Sequence, residues 1–411
     1  MMNSRAPRVL QIGKYYPPHR GGMETHLEQL AGELNKSVDL EVLVSNESRK
    51  TAVEWVDGVK VSRIGKAWEL ASTPICPQMT KAIRRARADL VHVHLPNPAA
   101  VVALLASGYR GPTVVTWHSD VVRQRVLAGL FQPLLNAFIR RCAAIIVSSP
   151  NYLLSSPVLR ANRRKCRVIP FGIPLELFQR EYTSAVAAIR KRFGSRIILT
   201  VGRCVYYKGL EYLIRSMLKI PDAQLLIIGD GPRRLALEAE ARAFGLSERV
   251  AFLGSVADPV PYYQACDVFA LASIARSEAF GIVQLEALAA GKPVVNTLLP
   301  SGVPFVSVDG VTGFSVTPSD SDALAKALNQ LLNQPALRAK FGQEGIRRVG
   351  RHFTLQKMVD RTLRLYAELV DGEAPEASVE QRWFLPSVTV GGSGAGATAV
   401  QSLLRMNVRE Q

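Results

Sequence analysis

Short apolar, β-branched runs alternate along most of this chain with segments whose apolar residues recur at helical spacing. This alternation is typical of βαβ units, in which buried parallel strands are connected by helices that cover the sheet. The predicted strands are Val9–Ile12, Leu40–Ser45, Lys60–Ile64, Leu90–His94, Thr113–Trp117, Ala144–Ser148, Ile197–Val201, Gln224–Gly229, Val250–Leu253, Val268–Leu271 and Pro293–Val295. The predicted helices include Glu24–Asn35, Thr80–Ala86, Val122–Cys142, Leu210–Leu218, Ser321–Asn333 and Leu355–Leu369. The sequence therefore predicts an α/β protein.

The strands fall into two series, separated by the basic, turn-rich stretch Ser155–Pro174, which we interpret as a hinge. A chain of 411 residues is about two to three times the commonest domain size. We therefore predict two Rossmann-like domains, residues 1–172 and 173–352, whose parallel sheets face a central cleft. A helix over residues 353–370 is expected to pack back on the first domain, and residues 371–411 are expected to form a mobile tail.

The composition, with 48% hydrophobic and 21% charged residues, is that of a folded protein. No apolar run approaches the roughly 18 residues that span a bilayer, and residues 1–12 lack the apolar core of a signal peptide. We therefore expect a cytoplasmic protein. The five cysteines lie far apart without a C-x-x-C pair, which favours reduced, buried thiols over a zinc site or disulfides.

Positive charge is concentrated in the first half of the chain. Residues 1–172 contain 24 Lys and Arg against 11 Asp and Glu, whereas residues 173–411 contain 27 against 23. Such asymmetry indicates that the first half faces an anion, which is a nucleic acid, an anionic lipid or a phosphorylated acceptor. A basic surface that serves only solubility explains the charge equally well.

The strongest local signal is a pair of carboxylates. Glu278 lies in a loop just before a predicted helix, and Glu286 lies eight positions later, about two turns along the same face. Backbone N–H groups at the start of this helix favour a phosphate, and they belong to Phe280, Gly281, Ile282 and Val283. Glu278 can then accept from sugar hydroxyls and Glu286 from ribose hydroxyls. The alternative is an amphipathic helix with Glu286 facing solvent, but its neighbours are too apolar for a surface helix.

A second group of polar residues follows the strand Ile197–Val201. Arg203 offers a bidentate fork and Lys208 a point charge, which together suit a pyrophosphate. The carboxyl ends of parallel strands are where open α/β sheets bind ligands. The alternative is two exposed loop cations in ordinary surface contacts.

Two further candidates lie in the first half. The loop Gly13–Gly22 follows the first strand, and Gly22 permits close approach of a phosphate, although the loop does not match G-x-G-x-x-G and a flexible turn explains it equally well. His118 follows the strand Thr113–Trp117 and is expected to contact a sugar or act near the reacting centre, unless it is an ordinary hydrogen-bonding residue. Asp120 is a more speculative neighbour.

We predict no metal site. His92 and His94 share one face of a strand, but the sequence offers them no third ligand. Asp320 and Asp322 have D-x-D spacing, yet they lie where the cap of a helix is expected.

Taken together, these motifs resemble those of retaining glycosyltransferases of family 4, which have the GT-B fold. The residues that carry the resemblance are Gly21-Gly22, His118, Gly202-Arg203, Lys208-Gly209, Gly229-Asp230-Gly231-Pro232, Glu278 and Glu286. The resemblance implies that Arg203 and Lys208 neutralise the donor diphosphate and that Glu286 holds the ribose. It also implies that Glu278, with the amides of residues 280–283, holds the sugar and its phosphate. Arg203, Lys208, Glu278 and His118 are thus the predicted catalytic group.

More narrowly, the segments 206–209, 275–281 and 301–304 are similar to those of bacterial mannosyl- and rhamnosyltransferases that assemble O-antigen or exopolysaccharide. This implies a GDP-linked hexose donor, transfer with retention, no cofactor and no essential metal. The implied acceptor is a saccharide or a polyprenyl-diphosphate-linked saccharide, with peripheral contact to the inner membrane face through the helix Val122–Cys142. A buried helix with charged ends is the slightly favoured alternative for that segment.

Other functions remain open from the sequence. A nucleotide-sugar epimerase and a phosphorylase share the two-domain fold. The charge alone suggests a nucleic-acid-binding protein, but we expect no such partner because the chain shows neither a stacking platform nor a basic helix motif.

Overall fold

The computed structural model describes residues 5–19, 21–70, 73–120 and 125–372, and for residues 125–128 it describes the backbone only. The predicted mobile tail therefore lies outside the described residues, apart from Asp371 and Gly372. The strands are β1 (Arg8–Ile12), β2 (Asp39–Ser45), β3 (Ala52–Val56), β4 (Val59–Ile64), β5 (Trp68–Leu70), β6 (Thr73–Ile75), β7 (Leu90–Leu95), β8 (Thr113–Trp117), β9 (Ala144–Val147), β10 (Cys166–Val168), β11 (Ile197–Val201), β12 (Gln224–Ile228), β13 (Val250–Gly254), β14 (Val268–Leu271), β15 (Val294–Thr297) and β16 (Gly313–Val316).

Two large sheets confirm the prediction of two Rossmann-like halves. The first has the order β10-β9-β8-β7-β1-β2-β4-β3 and is parallel except for β3, which pairs antiparallel with β4. The second has the order β13-β12-β11-β14-β15-β16 and is parallel throughout. Strands β5 and β6 form a separate hairpin. We call the two large sheets with their covering helices the first lobe and the second lobe.

Helices cover both sheets. They are α1 (Gly22–Leu34), α2 (Met79–Ala86), α3 (Pro98–Ser107), α4 (Arg125–Arg141), α5 (Pro150–Ser155), α6 (Pro157–Ala161), α7 (Leu175–Phe178), α8 (Thr183–Phe193), α9 (Leu210–Ser216), α10 (Arg234–Ala243), α11 (Val260–Ala265), α12 (Ile282–Ala289), α13 (Val303–Val306), α14 (Ser321–Asn333), α15 (Pro335–His352) and α16 (Leu355–Val370). The sheets are buried beneath them, and every residue of β7 and β8 is buried.

All predicted strands are present, with ends that differ by a residue or two, whereas β3, β5, β6, β10 and β16 were not predicted. Strand β3 is exposed over most of its length and so carries no alternation of apolar and polar residues. The stretch Ser155–Pro174, predicted as irregular, instead contains α6 and β10. Pro157 stands in the first turn of α6, where proline starts a helix rather than breaking one.

The chain crosses between the lobes twice, and the two crossings run side by side. Ile173, in the first crossing, donates its N–H to the carbonyl of Phe353 at 2.9 Å and accepts from the N–H of Leu355 at 2.9 Å. A side chain at Gly172 would collide with the backbone of Thr354. After the second crossing, α16 packs against α1 of the first lobe. The domain limits at residues 172 and 352 remain predictions.

None of the helices in the described part of the chain combines the length and the apolar character that crossing a bilayer requires.

Candidate active site

In each lobe the order of the strands reverses at one point. In the second lobe the reversal lies between β11 and β14, and in the first lobe it lies between β1 and β7. Ligands of open parallel sheets bind in the crevice that such a reversal leaves at the carboxyl ends of the strands. Arg203 and Lys208 follow β11, and Glu278 follows β14. The structure thus brings these three predicted site residues to one crevice.

Lys208 and Glu278 form a buried ion pair. The Lys208 ammonium lies 2.6 Å from Oε2 of Glu278, and only about a tenth of each side chain is exposed. The hydroxyl of Ser273 donates to the same oxygen at 2.9 Å. Among the described residues, Oε1 of Glu278 has no hydrogen-bond partner. Glu278 is therefore held through one oxygen and presents the other to the crevice.

Two glycines allow the backbone conformation that places Lys208 in this ion pair. Gly202 has φ of 148°, and a Cβ there would come within 3.0 Å of Cε of Lys208. Gly209 has φ of 60° and turns the chain from the 3₁₀ segment Tyr206–Lys208 into α9. Both conformations are ones that residues with a side chain rarely adopt. The backbone therefore folds back after β11, so that the Lys208 side chain lies against Gly202 at the carboxyl end of that strand.

Burial alone would lower the pKa of Lys208, but the neighbouring Glu278 carboxylate, with smaller contributions from Tyr207 and Glu286, outweighs it and raises the pKa. The lysine therefore carries a positive charge in a site that is largely closed to water. A charge in such a place acts on a ligand with little screening by solvent.

Glu286 lies on α12, as the spacing from Glu278 predicts, and its carboxylate accepts a hydrogen bond from the Tyr263 hydroxyl at 2.5 Å. Burial raises the pKa of Glu286, although the Tyr263 hydroxyl and the charge of Lys208 both act to lower it. The alternative in which Glu286 faces solvent is wrong. Tyr263, on α11, was not identified from the sequence, because nothing in its neighbourhood indicates that it contacts α12.

The other predicted donor-site residues form the start of α12. Gly281 caps the helix with φ of 75°, and Ile282 and Val283 begin it, so their N–H groups have no acceptor one turn earlier within the helix. Phe280 contributes only its backbone, because its ring is 2% exposed and packs against Phe171 at 5.1 Å between ring centres. A phosphate at this end of α12 would meet free N–H groups.

A buried amide pair behind α12 was also missed. Asn296, on β15, donates to the side-chain oxygen of Gln284 at 2.8 Å, and Gln284 donates to the carbonyl of Phe280 at 3.2 Å. Both side chains are fully buried. Together they fix the first turn of α12 to the sheet. A glutamine within the apolar run of residues 282–290 was the signal that could have revealed it.

Arg203 is exposed and forms no ion pair with any described residue. Lys14, from the first lobe, also lacks one, and burial, with a contribution from the charge of Arg203, lowers the pKa of Lys14 despite the opposing charge of Glu24. The two cations therefore approach each other from opposite lobes. Gly22, at the start of α1, is exposed, and a Cβ there would meet no atom within 4 Å. The fold itself leaves that space open.

His118 lies among other histidines rather than alone. Its Nε2 lies 3.0 Å from Nδ1 of His94, and His26 brings a ring nitrogen of its own, so that one nitrogen of each ring lies within 4.8 Å of the others. The sequence offered no third ligand for His92 and His94, and the structure instead groups His94 with His26 and His118. However, both nitrogens of His94 already have hydrogen-bond partners, since its Nε2 lies 2.6 Å from Oε1 of Gln11. The absence of a metal site remains a prediction.

Asp120 connects the two lobes. Its Oδ2 accepts from Arg276 at 2.8 Å, and its Oδ1 accepts from Trp117 Nε1 at 2.9 Å and from the Ser156 hydroxyl at 2.9 Å. Arg276 stands two residues before Glu278, and Asp120 two residues after His118. The loops that carry these predicted site residues are therefore linked by one ion pair. Arg276 was not predicted as a site residue, although it lies in a segment that the resemblance includes.

The structure also describes the predicted helix cap, the cysteines and most of the predicted helix Val122–Cys142. Asp320 caps α14 by accepting from the N–H groups of Asp322 and Ala323, as predicted. All five cysteines lie in the described part of the chain, where they are buried thiols rather than disulfides. The helix predicted over Val122–Cys142 is α4, and residues 121–124 lie outside the described part of the chain. In α4 the side chain of Leu130 is 77% exposed.

The arrangement of the sheets is that of the GT-B fold. Sucrose-phosphate synthase of Thermosynechococcus elongatus, 24% identical, superimposes with a TM-score of 0.76 over 89% of this chain and 100% of its own. This likeness confirms the predicted fold, and the sequence matches place the protein among the glycosyltransferases, the class that the motifs indicated.

The family assignment rests on two models that together span most of the described residues. The model of glycosyltransferase family 4 matches residues 20–177, and that of group 1 glycosyl transferases matches residues 184–348. O-antigen chain mannosyltransferase C of Escherichia coli is 33% identical over 89% of this chain and 100% of the relative. D-rhamnosyltransferase WbpZ of Pseudomonas aeruginosa is 35% identical over 84% of this chain and 92% of the relative. The chain belongs to glycosyltransferase family 4.

Proposed function

We propose that this glycosyltransferase transfers a mannose- or rhamnose-type hexose from a GDP-linked donor, with retention, during synthesis of a cell-surface polysaccharide. The observation that carries the proposal is the buried Lys208–Glu278 pair, which lies where the strand order of the second lobe reverses. The two relatives above support the sugar class, because their names are those of a mannosyltransferase and a rhamnosyltransferase.

In this proposal the second lobe holds the donor. Arg203 and Lys208 neutralise the diphosphate, together with the first N–H groups of α12. Glu286 accepts from the ribose hydroxyls, oriented by Tyr263. Glu278 presents Oε1 to a hydroxyl of the sugar while its other oxygen stays on Lys208 and Ser273. No essential metal and no cofactor are required in this scheme, because the cations supply the charge.

The chemical step then depends on the leaving group. As the bond from the anomeric carbon to the phosphate oxygen breaks, the sugar becomes oxocarbenium-like and the diphosphate gains negative charge. The acceptor hydroxyl attacks from the same face and passes its proton to the departing phosphate oxygen. Arg203 and Lys208 are placed to stabilise the charge that develops on the diphosphate, and such electrostatic stabilisation is usually the largest contribution to catalysis. Glu278 is a positioning residue for the sugar in this scheme.

The first lobe is the proposed acceptor side. Its excess of positive charge fits an acceptor that carries phosphate, such as a saccharide linked to a polyprenyl diphosphate at a membrane surface. His118 and Gly22 lie on this side of the crevice.

The test incubates the purified full chain with GDP-, UDP- and dTDP-linked hexoses, with and without a lipid-linked saccharide acceptor, and measures release of the nucleoside diphosphate. We expect release that requires both a GDP-hexose and the acceptor, and NMR of the product should show the anomeric configuration of the donor. Donor turnover without acceptor would favour an epimerase, and a requirement for inorganic phosphate would favour a phosphorylase. Salt-sensitive binding to nucleic acid without release from any donor would refute the proposed function.

A further inference from the structure

A chain of hydrogen bonds leads from His118, at the crevice, to the C-terminal helix α16. Nε2 of His118 lies 3.0 Å from Nδ1 of His94, and Nε2 of His94 lies 2.6 Å from Oε1 of Gln11. Nε2 of Gln11 in turn lies 3.2 Å from the hydroxyl oxygen of Tyr366 on α16. The same hydroxyl lies 2.6 Å from Nδ1 of His92. Each of these five side chains is buried.

The three histidines along these hydrogen bonds are neutral. Burial holds the pKa values of His94 and His118 well below their ordinary range and lowers that of His92 to about 3. A neutral imidazole has one N–H and one bare nitrogen, so each ring donates through one nitrogen and accepts through the other. The direction of one hydrogen bond therefore fixes the proton position in every ring along the chain.

The amide of Gln11 sets this direction. Its Nε2 faces the hydroxyl of Tyr366 and can only donate, so the hydroxyl oxygen accepts from Gln11. The Tyr366 hydroxyl is then left to donate to Nδ1 of His92. The carbonyl oxygen of Gln11, on the other side of the amide, faces His94.

From Gln11 the direction passes to the crevice. Because Oε1 of Gln11 can only accept, His94 carries its proton on Nε2 and has a bare Nδ1. That bare nitrogen requires His118 to donate through Nε2. His118 then has a bare Nδ1, and this atom has no hydrogen-bond partner among the described residues.

We propose that Gln11 and Tyr366 hold His118 in the Nε2–H form, so that its Nδ1 accepts a hydrogen bond from a hydroxyl of the donor sugar. Both are positioning residues, and the inference rests on the proposed function, in which His118 lies beside the sugar. Tyr366 belongs to the helix that follows the second crossing between the lobes, so the seating of α16 on the first lobe sets the hydrogen-bonding character of the crevice.

The test labels the histidines of the full chain with ¹⁵N and uses NMR to determine which ring nitrogens carry protons. His118→Gln identifies the signals of His118 by their loss. In the unaltered protein we expect His118 to be protonated at Nε2 and bare at Nδ1. A proton on Nδ1 overturns the proposal.

Variants then test the chain of bonds itself. Gln11→Met and Tyr366→Phe should each let a second form of His118 appear and lower kcat/KM for the donor about tenfold, the effect of one lost hydrogen bond. Gln11→Glu should retain the His118 form and the activity, because a protonated carboxyl both accepts from His94 and donates to Tyr366. Thr362→Val is the control, since among the described residues its hydroxyl binds only the carbonyl of Met358 on the same helix.

Two further results would overturn the proposal. An unchanged His118 form in Gln11→Met overturns the proposal, as does normal sugar transfer by His118→Gln. If neither the unaltered protein nor any variant releases nucleotide from any donor, the proposed function fails. The NMR result still decides the proton position of His118 in that case.

Discussion

The two lobes contribute opposite kinds of polar chemistry to the crevice. The second lobe places charged groups there, the Lys208–Glu278 ion pair and the exposed Arg203, and single charges act on a ligand over several ångströms and tolerate small shifts. The first lobe places neutral imidazoles there, and their effect depends on where single protons lie. In the proposed function, the second lobe provides affinity for the anionic donor and the first lobe discriminates among hydroxyl groups.

Removing the charge of the second lobe should have the largest effect. Lys208→Ala leaves the Glu278 carboxylate buried without its cation and removes the diphosphate contact, so we expect a loss of roughly 10³-fold in kcat and about 3 kcal/mol in the free energy of unfolding. Release of nucleotide and thermal unfolding measure the two effects. Lys219→Ala, which breaks an exposed pair with Asp322, is the matched control and should change neither.

A double variant separates the two effects. Lys208→Met combined with Glu278→Gln removes both charges, so it should regain much of the lost stability without regaining transfer. If it regains transfer, the second lobe does not act through charge and the contrast between the lobes is wrong.

The link between the lobes should matter less. Arg276→Gln removes the ion pair with Asp120, whose side chains are partly exposed, and we expect kcat/KM to fall roughly 30-fold, equivalent to about 2 kcal/mol. In a double-mutant cycle with Asp120→Asn, the two losses should be far from additive. Arg347→Gln, at an exposed pair with Glu344, is the control. Additive losses would show that the lobes act independently.

The smallest effect is expected at the ribose. Tyr263→Phe removes the hydroxyl that Glu286 accepts from and should weaken donor binding about fivefold, as expected for about 1 kcal/mol. The ionised carboxylate is the form that accepts from ribose, so binding falls as the pH drops through the pKa of Glu286. Burial already raises that pKa, and loss of the Tyr263 hydrogen bond raises it further. The acidic limb of kcat/KM should therefore move to higher pH in Tyr263→Phe, whereas Tyr262→Phe should leave it in place.

The sequence predicts the two lobes well because buried parallel strands require continuous apolar runs. It also predicts which residues follow those strands, and Lys208, Glu278 and His118 are among them, although their roles in the site stay predictions. It could not predict the contacts of Tyr263, Arg276 and Tyr366, because each contact joins two separate segments that only the folded structure brings together.

The histidine cluster shows the same limit. His92 and His94 share a strand, but His26 comes from α1 and His118 from a neighbouring strand end, so only the folded sheet brings the rings together. The prediction that Ser155–Pro174 is irregular was wrong for a different reason. Pro157 starts α6 there instead of interrupting regular structure.

The paired crossings between the lobes have a mechanical consequence. Ile173 lies beside Thr354 and is hydrogen-bonded to both neighbours of Thr354, which are Phe353 and Leu355. The two connections therefore lie along one line instead of joining the lobes at two separate points. Two bodies joined along a line retain one rotational degree of freedom. In such a rotation each residue moves in proportion to its distance from the axis, so the crossings themselves barely move.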